Sequence, residues 1–166
     1  MKVLVSDSSI LIEFSKREIL HTMFELEYQF AVPDLLFHEE LIDLGSYSRQ
    51  DLLGFGLRVE ALSTDGVATA VAYQAERAAL SLVDAFALTL AGIHRWPILT
   101  EDRTMRRFAE SKSISHLDAL WIVDRMLVAG VLPGTQALVA LDAMLNDPRC
   151  PLPKPELARR IGHLRD

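Results

Sequence analysis

The chain has 166 residues, with 23 Asp and Glu against 17 Lys and Arg and a formal net charge of −6. That length supports one compact domain with a substantial core, and a single cysteine, Cys150, excludes an internal disulfide and a thiolate-rich zinc site. The negative balance argues against a protein that coats nucleic acid by bulk charge, yet it leaves room for a nuclease whose divalent cations change the field locally.

Residues 2–5 read as a buried strand, and Ser8 or Ser9 can cap a helix carrying Ile10, Leu11 and Phe14. A second helix is expected over residues 18–27. Residues 30–32 form a short strand closed by Pro33, followed by a helix with Leu35, Leu36, Glu39, Glu40 and Ile42. Residues 58–62 alternate as a strand. Thr64 or Asp65 opens an alanine-rich helix reaching Ala75, and Leu80 or Ser81 opens another that Gly92 can end. Residues 97–100 make a further buried strand; Asp102 follows it, then a helix over residues 104–110. The last fifty residues are mostly helical. Leu117, Leu120, Val123 and Leu127 mark one segment and Leu138, Leu141 and Leu145 the next. A proline-rich break at Pro148, Pro151, Pro153 and Pro155 precedes a short basic helix with Arg159 and Arg160.

Alternating strands and helices predict a three-layer α/β/α fold with a mainly parallel central sheet. Residues 1–130 form the principal domain, and residues 131–166 a helical C-terminal extension packed on it. No signal-peptide pattern and no run of eighteen apolar residues is seen, so a cytoplasmic protein with no membrane contact is expected.

Carboxylates at element ends carry the chemistry. Asp7 follows the first strand and Asp102 follows the strand PILT, and in a parallel sheet both positions border one crevice. Asp84 sits in the apolar run ALSLVDAFALTLAG, where a carboxylate needs a partner. Glu40 lies on a helix that also follows a strand. Each acid has a structural alternative: Asp7 and Asp102 as helix caps, Glu40 as a solvated residue, Asp84 on a polar face with Ser81. As a set they repel one another unless a cation intervenes. Hard oxygen donors without a histidine or cysteine pattern favour Mg²⁺ or Mn²⁺, which can activate water against a phosphodiester. Ser6, Ser8 and Thr100 border the same cleft and could orient a water or a carboxylate, or cap the backbone locally.

The segments VLVSDSSILIEF, VPDLLFHEEL, SLVDAFALTLA and PILTEDRTMRR, in this order, resemble the PIN-domain family of metal-dependent ribonucleases. The resemblance covers residues 1–130. It implies a sheet with helices on both sides, RNA cleavage with Mg²⁺ or Mn²⁺, and Asp7, Glu40, Asp84 and Asp102 as catalytic metal ligands. Asp118, after the last short strand, is a candidate fifth acid or the cap of the next helix. Small bacterial members of the family are often toxins, dimeric and held by an antitoxin protein, so a homodimer and an antitoxin partner are also implied. The longer helical C-terminus departs from the shortest toxins and weakens the toxin reading more than the nuclease reading. Arg103 and Arg107, four apart on the helix after Asp102, are candidates for flanking phosphates, or for a solvated surface face. Two alternatives stay open: a PIN-fold interaction module without useful catalysis, and a metal-dependent DNA nuclease. No helical zinc motif, nucleophile elbow or phosphate-binding glycine loop is present.

Overall fold

A computed structural model describes residues 2–166. The first strand, β1 (Lys2–Ser6), is buried from Val3 onward, as a strand covered on both faces must be. Helix α1 (Ser8–Lys16) buries Ile10, Leu11 and Phe14 on one face and ends before Glu18, whose φ of 57° is left-handed. That turn reduces the helix expected over residues 18–27 to α2 (Leu20–Met23), although Ile19, Leu20, Met23 and Leu26 all remain buried.

The chain continues through β2 (Tyr28–Pro33), α3 (Asp34–Glu39), α4 (Arg49–Gly54), β3 (Arg58–Glu60), α5 (Thr64–Glu76) and α6 (Leu82–His94). It then forms β4 (Ile98–Leu99), α7 (Arg103–Ser111), β5 (His116–Leu117), α8 (Ala119–Val128), α9 (Gly134–Leu145) and α10 (Lys154–Arg165). The second strand is longer than expected, and β3 and β4 are shorter. Gly92 does not end α6. It lies where an added Cβ would meet the Ile114 side chain at 3.4 Å, and Arg95 at φ 57° ends the helix instead.

The five strands are all parallel, in the order β3-β2-β1-β4-β5. The chain therefore starts at the centre, winds outward through β2 and β3, and returns to the other side of β1. This reversal creates a switch point between β1 and β4, where open α/β sheets carry their crevice at the carboxyl edge. Register fixes the edge: Ser6 lies opposite Leu99, and the Asp7 amide donates to the Leu99 carbonyl at 2.9 Å.

Alternation along the strands divides the core. Leu4, Phe30, Val32 and Leu99 join buried residues of α1, α2, α8, α9 and α10 in the larger cluster. Val5 and Ile98 join residues of α6 and α7 in the smaller one, and α5 packs outside along α6. Ala137, Leu141, Met144, Leu157 and Ile161 belong to the larger cluster, so the C-terminal helices share one core with β1 and β2. Among the described residues, no helix is long and apolar enough to cross a membrane.

Candidate active site

Asp7 occupies the N-cap position of α1 with extended backbone, but its carboxylate does not cap the helix. It is 6% exposed, and its Oδ2 accepts the hydroxyls of Thr100 at 2.9 Å and Ser9 at 3.1 Å. Both donors thus go to one oxygen, and Oδ1 is left for a further ligand. Burial pushes the Asp7 pKa up to about 6; the Thr100 and Ser9 hydroxyls oppose the rise, while the negative charges of Asp84 and Glu40 add to it. The structure therefore brings Asp84 and Glu40 within electrostatic reach of Asp7.

Glu40 is not within a helix as expected. It follows the last residue of α3, and its amide donates to the Leu36 carbonyl at 2.9 Å. Its half-buried carboxylate accepts the Ser8 hydroxyl at 2.7 Å, which links α1 to the end of α3. Asp84 differs from expectation more sharply. It lies in the first turn of α6 and is half-buried, not sealed in apolar surroundings. Its carboxylate accepts the Ser81 amide at 3.1 Å, and its own amide donates to the Ser81 hydroxyl at 3.0 Å. This capping box uses Oδ2 and explains a carboxylate next to Val83 and Ala85 without any core partner.

Asp102 is exposed and caps α7, with Oδ1 accepting the Met105 amide at 2.9 Å. Thr100 Oγ1 accepts the Asp102 amide at 3.1 Å while donating to Asp7, so one hydroxyl ties the two acidic segments together. Asp118 caps α8 through the Trp121 amide at 2.7 Å. Ser8 and Thr100 orient carboxylates; the Ser6 hydroxyl instead donates to the Asp7 carbonyl at 3.0 Å and does not reach a carboxylate. Among the described residues, no three His, Cys, Asp or Glu side chains stand close enough together to hold a metal ion.

Two participants have little sequence signal. Ser9 is recognisable only as a hydroxyl two residues after Asp7, a spacing that permits local side-chain bonding. Glu101 turns away from Asp102, as adjacent residues do, but it turns into the protein. With its side chain 6% exposed, it accepts the Ala119 amide at 2.8 Å and pairs with Arg106 at 3.1 Å. Burial raises its pKa, against the Ala119 bond and the Arg106 charge. Arg106 also donates to the Thr100 carbonyl at 2.9 Å, so Glu101 and Arg106 brace the turn between β4, α7 and α8. Arg103 and Arg107 are exposed, and neither enters an ion pair among the described residues.

The donor chemistry around Asp7 fits a hard divalent cation. A buried carboxylate that feels the negative charge of Asp84 and Glu40, with one oxygen uncommitted to either hydroxyl, gains most from positive charge, and Asp84 and Glu40 would have to draw closer to share an ion with it. A family model described as a PIN domain matches residues 3–164, and the chain belongs to that family, which carries a nuclease-type fold. No curated protein matches the chain.

Proposed function

We propose that the protein is a metal-dependent endoribonuclease. The single observation that carries the reading is Asp7: a buried carboxylate at the switch point, pushed to a pKa of about 6, with Asp84 and Glu40 acting on it. Asp7, Glu40 and Asp84 are the residues assigned to hold Mg²⁺ or Mn²⁺, with Asp102 at the rim and Asp118 beyond it. When bound, such a cation supplies the charge that activates water and stabilises negative charge developing on the phosphate.

The remaining work falls to the chain. Thr100 and Ser9 fix the rotamer of Asp7, and Ser8 fixes that of Glu40. Arg103 and Arg107 are assigned to phosphates beside the scissile bond, because they extend from the helix that Asp102 caps. Hydrolysis of single-stranded and structured RNA by the purified protein, with Mn²⁺ or with EDTA, tests the assignment. Cleavage should require the metal and be lost in Asp7→Asn and Asp84→Asn. Equal cleavage by all three proteins contradicts it.

A second reading, a PIN-fold interaction module, is favoured by one observation. Asp84, Asp102 and Asp118 each have a carboxylate oxygen engaged in a helix cap. Correctly folded wild-type protein with no Mn²⁺-dependent cleavage supports the module. The toxin role has its own test: expression in a bacterial host arrests growth, and Asp7→Asn abolishes the arrest. Normal growth with abundant active protein contradicts it.

A further inference from the structure

The carboxyl edge of the sheet is not the only place with nucleic-acid chemistry. Helix α7 starts at Asp102 and runs back towards the amino edge, where an open pocket of about 400 Å³ lies between the end of α6 and the turn after α7. Arg95, Trp96, Lys112, Ser113, Ile114 and Ser115 line it, and no carboxylate is among its lining residues. Arg95 is exposed and enters no ion pair among the described residues. Lys112 lies over the rings of Tyr73 at 5.4 Å and Phe108 at 5.5 Å, and it pairs with exposed Glu76 at 3.0 Å. A surface pair of that kind is readily exchanged for a phosphate. The His94 ring is stacked on Trp96, with centroids 4.1 Å apart, and is exposed beside the pocket, so it offers a flat surface to a base.

Between the cleft and this pocket α7 presents two cations free of ion pairs among the described residues, while the exposed Glu110 on the same helix is bonded to His116 at 2.9 Å. Arg103, Arg107 and Ser111 follow one another at helical spacing of four, all exposed, and Arg77 lies against Phe108 of the same helix at 5.9 Å. The nine residues of α7 span about 13 Å, or about four nucleotides at the spacing of a stacked strand.

We propose that a single RNA strand leaving the Asp7 cleft follows Arg103 and Arg107 along α7, and that the pocket of Arg95, Trp96 and Lys112 holds a phosphate and its neighbouring base about four nucleotides away. The inference rests on the ribonuclease reading for its substrate class. It extends that reading to a second binding site on the opposite edge of the sheet.

Fluorescence anisotropy with labelled single-stranded RNA of three and twelve nucleotides, in EDTA and over a salt series, tests it. Wild-type protein should bind the longer strand more tightly, because only that strand reaches the pocket. Arg95→Asn, which suits the left-handed backbone at that position, combined with Lys112→Gln, should remove the gain from length. Each phosphate of a single strand that the protein ceases to neutralise lowers the salt slope by about 0.7. The double variant leaves the pocket's one phosphate unneutralised and should therefore drop by about 0.7 in slope and, relative to 1 M salt, about 5-fold in affinity at 0.1 M. Ser115→Glu, which leaves both cations in place and adds a negative charge at the pocket, should weaken the long strand in the same direction. The same length dependence and slope in wild type and in both variants, all with unchanged melting temperature, overturns the proposal, as does wild-type protein that binds neither strand. The ribonuclease reading fails differently: the longer strand is not cleaved with Mn²⁺, while binding still depends on length and on the pocket.

Discussion

Asp7→Asn should make the metal-free protein more stable while abolishing its activity. The folded-state pKa of about 6, against 3.8 for a free carboxyl, corresponds to about 3 kcal/mol of destabilisation when Asp7 is ionised. The sign follows from proton binding. Between these two values the folded chain holds the proton and the unfolded chain has released it, so this group lowers stability as pH rises through the window, and the full cost applies above about 6. An asparagine there can still accept from Thr100 and Ser9, and its amide can face Asp84 and Glu40 as a donor. Allowing for burial of that amide, the net gain at pH 7.5 is about 2 kcal/mol, or about 4–8 °C in melting temperature for a chain of this size. The gap between variant and wild type should narrow by about 2 kcal/mol on going from pH 7.5 to pH 4.5, where wild-type Asp7 is protonated. Thermal unfolding in EDTA at both pH values measures this. Saturating Mn²⁺ should then reverse the order, since ligand at a hundred times its Kd stabilises the wild type by about 2.7 kcal/mol. An Asp7→Asn protein less stable than wild type in EDTA at pH 7.5, or a gap that does not change with pH, refutes the reasoning.

Thr89 on α6 has a buried hydroxyl with no hydrogen-bond partner among the described residues, so Thr89→Val should stabilise by about 1 kcal/mol in urea unfolding; a loss of that size contradicts it. Arg17, 12% exposed, pairs with the Glu13 carboxylate, itself 3% exposed, at 2.8 Å. Arg17→Met should therefore cost about 3–5 kcal/mol, and adding Glu13→Gln should recover part of it; a cost below about 1 kcal/mol refutes the importance of that pair. Glu101→Ala leaves the Ala119 amide without its acceptor and Arg106 with only the Thr100 carbonyl, and should cost about 1–3 kcal/mol, whereas Glu101→Gln keeps an acceptor and should cost less. Amide exchange at Ala119 should accelerate in the alanine variant, and equal protection in both variants counts against the brace.

The parts of the fold legible in the sequence are those governed by strand ends and strong apolar periodicity. Residues 2–5 and 97–100 are recognisable as strands because they are short apolar runs with a carboxylate soon after, and parallel topology then brings Asp7 and Asp102 to one edge. Asp102 and Asp118 do occupy the capping positions that their place before a helix allowed. The neighbours of Asp84 mislead, because apolar residues on both sides suggest deep burial, whereas a position in the first turn leaves the carboxylate half-exposed and engaged with Ser81. Helix α4 escapes the sequence reading: only Leu52 in it is buried, so it has no apolar period, and the Ser48–Asp51 capping box is its one local signal. The shortened α2 depends on the left-handed backbone at Glu18, a residue type that gives no warning of positive φ. Glu101 cannot be assigned from sequence because its partners, the Ala119 amide and Arg106, converge only through tertiary packing.

Calorimetric titration of Mn²⁺ into wild-type and Asp7→Asn protein at pH 6 tests the central claim most directly. The wild type should bind saturably and release protons as it does so, because Asp7 is partly protonated at that pH, and the variant should do neither. No binding by the wild type at millimolar Mn²⁺, or equal binding by the two proteins, contradicts the claim.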